Sequence, residues 1–551
     1  MTTMPGEFSF RLKPYRIALL LFSASLLLFL IGLNECNFVR LSCRFGIFAK
    51  EMVASGGLHI FPTLYGEPYP DYPSTFTFLT VLASRLPGGV TLLSCAFPSA
   101  AAAALTLVLI YFTGALYSKE LGIRALLITI GTYGFAAAAR APVPDHFVAL
   151  FAVAAFYFTV RPLLFNSSKL LWLIVPLCLI GGFIFRGPLG AVLPGAVVFS
   201  VLVVERRWKL IFLFGAVSAF VLALCVGGLL YLAYCEGGDK LVKSVVDAQF
   251  SGRFSKAKPF YYYFTSGAGI YFLSFISAIA AVAVNWKKMW DKNSDELSIR
   301  LLRLFAAWAL IILVGLSIPG TKHARYLLPM VPALSLAGAF IFEAPAATRA
   351  ISGILIFLRF LPFIILALGF SALAVFSIFK IPFGFPVVAF AGSFLILCYA
   401  AIFTVKRQSS AGAADFIKLA VGVFSVLFLQ ITVIEPVEQS MEDSAPFVRS
   451  VERVRYGRNL VFYDMGPDGD ELKYLVNLEK TFRPEFIYKP GDILKQKDSV
   501  IIIRTKDYKK LSAEIRDNLI LLSEGRVGSK TSFALIPAPQ SPAKPSAAES
   551  L

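Results

Sequence analysis

Six cations stand in three polar stretches between apolar runs, and they are the residues most suited to chemistry. Arg186 lies in Phe185-Arg186-Gly187-Pro188. Arg253, Lys256 and Lys258 precede the aromatic run Pro259-Phe260-Tyr261-Tyr262-Tyr263. Lys322 and Arg325 flank His323 and Ala324 just before Tyr326. Guanidinium forks and ammonium groups both suit phosphate oxygens. Two acids accompany them. Asp145 closes Arg140-Ala141-Pro142-Val143-Pro144-Asp145 and opens an apolar run; an ionisable group at that depth is costly and generally functional. Asp71 sits in Tyr69-Pro70-Asp71-Tyr72-Pro73, where proline fixes φ on either side and can aim the carboxylate at a ligand. Each feature has a plainer reading: Tyr and Arg as interfacial anchors, Asp145 solvated at headgroup level, Asp71 in an ordinary turn. Six cations across three stretches favour an anionic, phosphate-bearing lipid ligand.

The elements that must position these residues are membrane spans. The 551 residues are 57% hydrophobic and only 16% charged, against roughly 25% charged in soluble domains. Runs long enough to span, about 20 residues each, recur at 15–33, 92–116, 120–138, 144–162, 170–186, 188–204, 210–233, 266–285, 302–318, 324–342, 358–379, 386–405 and 414–434. The fold class is therefore an α-helical polytopic membrane protein of about thirteen spans. Lys and Arg in short loops set orientation. With thirteen spans, Arg11, Lys13, Lys119, Arg161, Lys169, Arg206, Arg207, Lys209, Lys287, Lys288, Lys292, Arg349, Lys406 and Arg407 all fall on one side, the cytosolic one. The outer side then receives 34–91, 139–143, 234–265, 319–323, 380–385 and the tail. Within the first outer loop, Phe38, Leu41, Phe45, Phe48 and Met52 recur at helical spacing, which predicts an amphipathic helix over 38–53 lying in the interface, or a packing helix.

The domains divide as a membrane part, 1–435, with outer loops 34–91 and 234–265, then a soluble region, 436–537, and a disordered Pro-, Ala- and Ser-rich end, 538–551. Residues 436–551 carry 17 acids and 18 bases, so the net +18 belongs almost wholly to the membrane part. Such an excess reflects loop orientation and anionic lipid, not nucleic acid. Strand-like pieces at 459–463, 483–488, 499–504, 519–523 and 532–536, with helical pieces at 445–456 and 506–516, predict a small α/β domain. Cys36 and Cys43, at i and i+7, would stand about 10.5 Å apart on a helix, too far for a disulfide. His59, His146, His323 and the scattered cysteines give no metal cluster. There is no P-loop, dinucleotide fingerprint, HExxH or nucleophile elbow.

Four segments taken in order resemble the GT-C fold glycosyltransferases of the protein mannosyltransferase and lipid A aminoarabinose transferase type. Lys50-Glu51-Met52-Val53-Ala54-Ser55-Gly56 resembles that family's "REMLASG" segment, and Asp71-Tyr72-Pro73 its acid-Lys-Pro loop. Arg253-Phe254 with Pro259-Phe260-Tyr261-Tyr262 is similar to "RF…PxxYY". Lys322-His323-Ala324-Arg325-Tyr326 is similar to the late "K-x-x-x-Y" motif. The resemblance implies inverting transfer of a sugar from a polyprenyl (undecaprenyl) monophosphate donor, in a bacterial inner membrane, with a periplasmic C-terminal domain. The acceptor it implies is a periplasmic lipid, lipid A or another glycolipid core. Carried over residue by residue, Arg253, Lys322, Arg186, Lys256 and Tyr326 are the donor-phosphate contacts, and Asp145 and Asp71 the acids of the reacting centre. No cofactor is required; a divalent metal has no ligand set in the sequence to support it.

The pattern departs from the family at three places. Leu41-Ser42 stands where the family has an Asp-Glu pair, and the nearest upstream acid is Glu35, about six residues away. Tyr72 replaces the loop lysine, and Lys256 aligns with a histidine. Three accounts stay open. Glu35 serves as base after an insertion; or a phosphate acceptor, already anionic near neutral pH, needs little base; or the chain binds or moves polyprenyl-linked sugars without transfer. A protein hydroxyl as acceptor is a further alternative, one that needs a true base more acutely.

Overall fold

The computed structural model describes residues 13–57, 59–255, 258–291, 295–343, 420, 422–424, 427, 430–466, 469–479 and 483–538. The expected spans 358–379 and 386–405, most of 414–434, and the end 539–551 lie outside the described residues.

The apolar runs are helices because, without water, a backbone must satisfy its own hydrogen bonds. Among the described residues eight helices are long and apolar enough to cross a membrane, and nine if the pair Lys119–Ile130 and Tyr133–Ala139, bent by 72°, counts as one span. The expected span 188–204 is the shorter helix Pro188–Val204. It folds back on Ile174–Arg186 so closely that a Cβ on Gly182 would stand 1.9 Å from the Gly190 carbonyl oxygen. The run 210–233 is the start of a longer helix, Trp208–Val246, broken at Gly237 and Gly238. The helices pack around a core built on Phe156, Phe305, Trp308 and Leu327, all buried.

The segment 34–91 holds more structure than its periodicity predicts. Ser42–Ser55 is a helix, as expected over 38–53, but Phe38, Phe45, Phe48 and Met52 are buried, the three phenylalanines in a core shared with Phe447, Leu475 and Val476 of the C-terminal region. The apolar face meets protein, so the packing reading holds. Lys50 Nζ donates to the Val476 and Leu478 carbonyls at 2.7 Å each. The Glu51 carboxylate accepts from the Tyr65 and Gly66 amides, closing a short hairpin at Thr63–Leu64 and Glu67–Pro68. A second apolar helix, Thr75–Ser84, follows.

The C-terminal region is a small sheet domain. Its five strands lie in the order 485–487, 459–463, 499–504, 530–537, 519–527. The first three are parallel and the last two antiparallel additions. All five match the strand-like pieces of the sequence. The single helix expected at 506–516 is instead two short ones, Thr505–Tyr508 and Ala513–Asp517. Cys36 and Cys43 are free thiols.

Candidate active site

Two helix ends set the centre of the site. Pro144-Asp145 starts the helix Asp145–Leu164, placing the carboxylate in its first turn. Arg186 ends the helix Ile174–Arg186. Each charge sits where the local helix dipole favours it. Gly187 takes φ +64°, ψ −152° between the two helices, a region closed to most L residues, and Pro188 starts the next helix where its missing N–H costs nothing. The sequence Arg-Gly-Pro thus delivers Arg186 to the end of the bundle.

Arg186 and Asp145 are both buried, with Arg186 Nε 3.4 Å from Asp145 Oδ1. Arg325 Nε stands 3.3 Å from the other oxygen. Both oxygens of Asp145 therefore face guanidinium groups. Arg186 also lies over the Tyr72 ring, 4.6 Å from its centroid, a contact strengthened by desolvation. Burial pushes the Tyr72 phenol up from its ordinary range, while Arg186 pulls it down.

The hydroxyl of Tyr326 joins the two halves of the site. Arg186 Nη2 donates to it at 3.2 Å and Arg253 Nη1 at 3.5 Å. Arg253 Nη2 donates to Asp71 Oδ1 at 3.0 Å. Gln249, buried, holds the loop by donating to the Asp71 carbonyl at 2.7 Å and the Pro70 carbonyl at 3.3 Å. Arg186 Nη1 has no hydrogen-bond partner among the described residues. The Asp71 side chain remains 27% exposed, so it is the more accessible of the two acids.

Lys322 is engaged with backbone carbonyls. Its ammonium is buried and donates to the carbonyls of Pro319 at 2.6 Å and Lys258 at 3.2 Å. Lys258 returns a bond to the Lys322 carbonyl at 2.8 Å. The pair staples the segment after Arg253 to the segment before Tyr326. Beside them, burial together with Arg325 and Lys258 holds the His323 imidazole down at about 4, so it is neutral at pH 7.

Asp71, Asp145, Arg186, Arg253 and Tyr326 thus come together from five separate segments, with Lys322 bracing two of them. Glu35 is exposed on a short turn after the first span and makes no hydrogen bond or ion pair to this cluster among the described residues. Lys256 lies outside the described residues. Sequence reasoning counted Arg325 among the cations but did not assign it to Asp145, although its place at the start of the span 324–342 pointed there as well as Lys322 did. Gln249 and the ring of Tyr72 carried no signal of their own. Among the described residues no three His, Cys, Asp or Glu side chains converge as a metal site would require. Three guanidiniums, Arg186, Arg253 and Arg325, face two carboxylates, with Lys258 and Lys322 in the adjoining segments. The cluster keeps a positive excess, as an anion site needs.

Comparison with known proteins identifies the scaffold. Residues 71–231 match the family of dolichyl-phosphate-mannose-protein mannosyltransferases. No curated protein matches the sequence. The structure is similar to that of ArnT from Cupriavidus metallidurans in the apo state, with a TM-score of 0.69 and 14% identity, over 95% of this chain and 98% of that one. It is also similar to ArnT of the same organism bound to undecaprenyl phosphate, with a TM-score of 0.66 and 14% identity, over 95% and 97%. The fold is that of the GT-C glycosyltransferases, built on a multi-pass helical membrane domain.

Proposed function

We propose that this chain is an inverting glycosyltransferase. It moves a sugar from a polyprenyl monophosphate to a lipid acceptor, lipid A or a related glycolipid core, on the periplasmic face of a bacterial inner membrane. The observation that carries the reading is the convergence of Arg186 and Arg253 on the Tyr326 hydroxyl within a cluster that holds more cations than carboxylates. A GT-C scaffold similar to that of a protein solved with undecaprenyl phosphate bound supports it.

The acceptor oxygen attacks the anomeric carbon, the bond to the donor phosphate breaks, and polyprenyl phosphate leaves with the bonding pair. Negative charge grows on the leaving phosphate, so donors fixed beside it lower the barrier. Arg253 sits at the accessible edge of the cluster and Arg186 at its buried end; both suit that role. Tyr326 fixes their spacing. Asp145, engaged by Arg186 and Arg325, orients the guanidiniums. Asp71, part-exposed and bound to Arg253 through one oxygen only, is placed to contact the sugar or to take a proton. A phosphate acceptor, already anionic, asks for little of the latter. Protein cations meet the developing charge, so the reaction on this reading needs no cofactor.

The test is direct. Purified protein incubated with polyprenyl-phosphate sugars and lipid A should yield a mass-shifted lipid, and Arg253→Ala should cut turnover by about 100-fold, the usual effect of removing one charge-stabilising donor. No consumption of any donor across a broad panel, with polyprenyl phosphate still bound, would leave a binder in place of an enzyme.

A further inference from the structure

The C-terminal domain holds a second polar site that the transferase reading does not use. Its first strand, 459–463, lies between the second, 485–487, and the third, 499–504, all three parallel. The chain therefore leaves the first strand to one side for the second strand, and returns on the other side for the third. In open α/β sheets, that reversal leaves a crevice beyond the carboxyl ends of the two diverging strands, and ligands bind there. Here it is a cleft of about 520 Å³. Asp464 enters it from the end of the first strand and Arg504, Lys506 and Asp507 from the end of the third, with Lys510 and Lys530 on its walls.

The charges are arranged in two tiers. Arg504 is occupied: it pairs with Asp507, and donates to the Asp464 carbonyl at 2.8 Å and carboxylate at 3.3 Å. It thereby ties the two strand ends together, and Asp464 adopts a left-handed backbone at φ 51° to meet it. The lysines form the outer tier. Lys506 is exposed and has no ion-pair partner among the described residues. Lys510 reaches Asp507 at 2.8 Å with its side chain 62% exposed. Lys530 reaches Asp470 at 2.6 Å with its side chain 50% exposed. Four cations thus face Asp464, Asp507 and the rim residue Asp470, and the excess is positive.

We propose that this cleft binds a phosphomonoester, carried by a sugar phosphate or by a phosphorylated lipid headgroup. A phosphomonoester is close to a dianion at neutral pH and offers three oxygens, which three lysine ammoniums can meet as point charges. A neutral sugar would leave the lysine excess unanswered. The site draws on no residue of the membrane cluster, so it stands apart from the transferase reading.

Titration calorimetry on the full chain in nanodiscs tests it, in the parent and in Arg253→Ala, which weakens the other phosphate site. Glucose 1-phosphate should bind Arg253→Ala at one per chain, glucose should not, and Lys506→Ala with Lys510→Ala should weaken binding at least tenfold. Circular dichroism of the double variant should match the parent, since both lysines are surface residues. Phosphatidic acid in the nanodiscs then separates the sources. If it competes with glucose 1-phosphate, a lipid headgroup reaches the cleft; if it does not, the ligand is soluble. Absence of binding in Arg253→Ala, equal binding of glucose, or an unchanged affinity in the lysine variant would overturn the proposal while leaving the transferase assay unaffected.

Discussion

Replacing Asp145 by Asn removes one charge from the most buried part of the site and almost no volume. The side chain is 4% exposed, and it holds Arg186 at 3.4 Å and Arg325 at 3.3 Å. Without it, Arg186, which is fully buried, keeps its bond to Tyr326 and the faces of Tyr72 and Tyr326, but no carboxylate. Removing one partner of a buried ion pair costs about 3–5 kcal/mol, because the remaining charge stays desolvated. Asn retains a carbonyl acceptor for one guanidinium N–H, which offsets part of the loss. The expected destabilisation is therefore near the lower bound, about 3 kcal/mol, a large share of the roughly 5–15 kcal/mol that holds a typical fold. Denaturant-induced unfolding in detergent, followed by tryptophan fluorescence, measures it; Trp308 is buried in the helical core. The double variant Asp145→Asn with Arg325→Gln removes a cation too. It should be more stable than the sum of the single effects by at least about 1 kcal/mol, within the range seen for contacting residues. A loss under 1 kcal/mol in Asp145→Asn, or strict additivity in the double variant, would refute the claim that this carboxylate balances the buried guanidiniums.

Three further outcomes are expected. Gly187→Ala puts a side chain at φ +64° and a Cβ 2.9 Å from Gln249 Oε1; it should lower stability by about 1–3 kcal/mol and weaken donor use, read as a raised KM, because Gln249 holds the Asp71 loop. Lys50→Met removes two charge-assisted bonds to the Val476 and Leu478 carbonyls and should cost about 2–3 kcal/mol; proteolysis should then cut faster between the helical bundle and the C-terminal domain. The His323 imidazole lies at about 4 in the folded chain against roughly 6.5 when unfolded. The unfolded state therefore binds the proton first, and the contribution is intact above about pH 6.5 and lost as pH falls towards 4. Melting temperatures across that window should fall less steeply in His323→Gln.

Much of the architecture was legible because a bilayer leaves few options. A long apolar run without charges must be a helix, and alternating polar stretches then fix which segments share an end of the bundle. The five strands of the C-terminal domain were equally readable, as short apolar runs such as Val500-Ile501-Ile502-Ile503 between turn residues. The helix over 38–53 was legible as periodicity, but its environment was not. Whether Phe45 and Phe48 face lipid or protein depends on Phe447 and Val476, some four hundred residues later.

The sequence by itself determined the apolar helices seen among the described residues, the stretches that carry the cations, and the helix-end signals Pro-Asp145 and Arg186-Gly-Pro. These depend on local chemistry: hydropathy, proline and glycine backbone limits, and charge. Only the tertiary structure decided which cation answers which acid. Arg325 and not a nearer residue completes Asp145, Lys322 braces two loops through carbonyl oxygens, Gln249 holds Asp71, and Glu35 stays at the surface. Those pairings are set by how helices far apart in the chain pack against one another, over a few ångströms that no spacing along the sequence encodes.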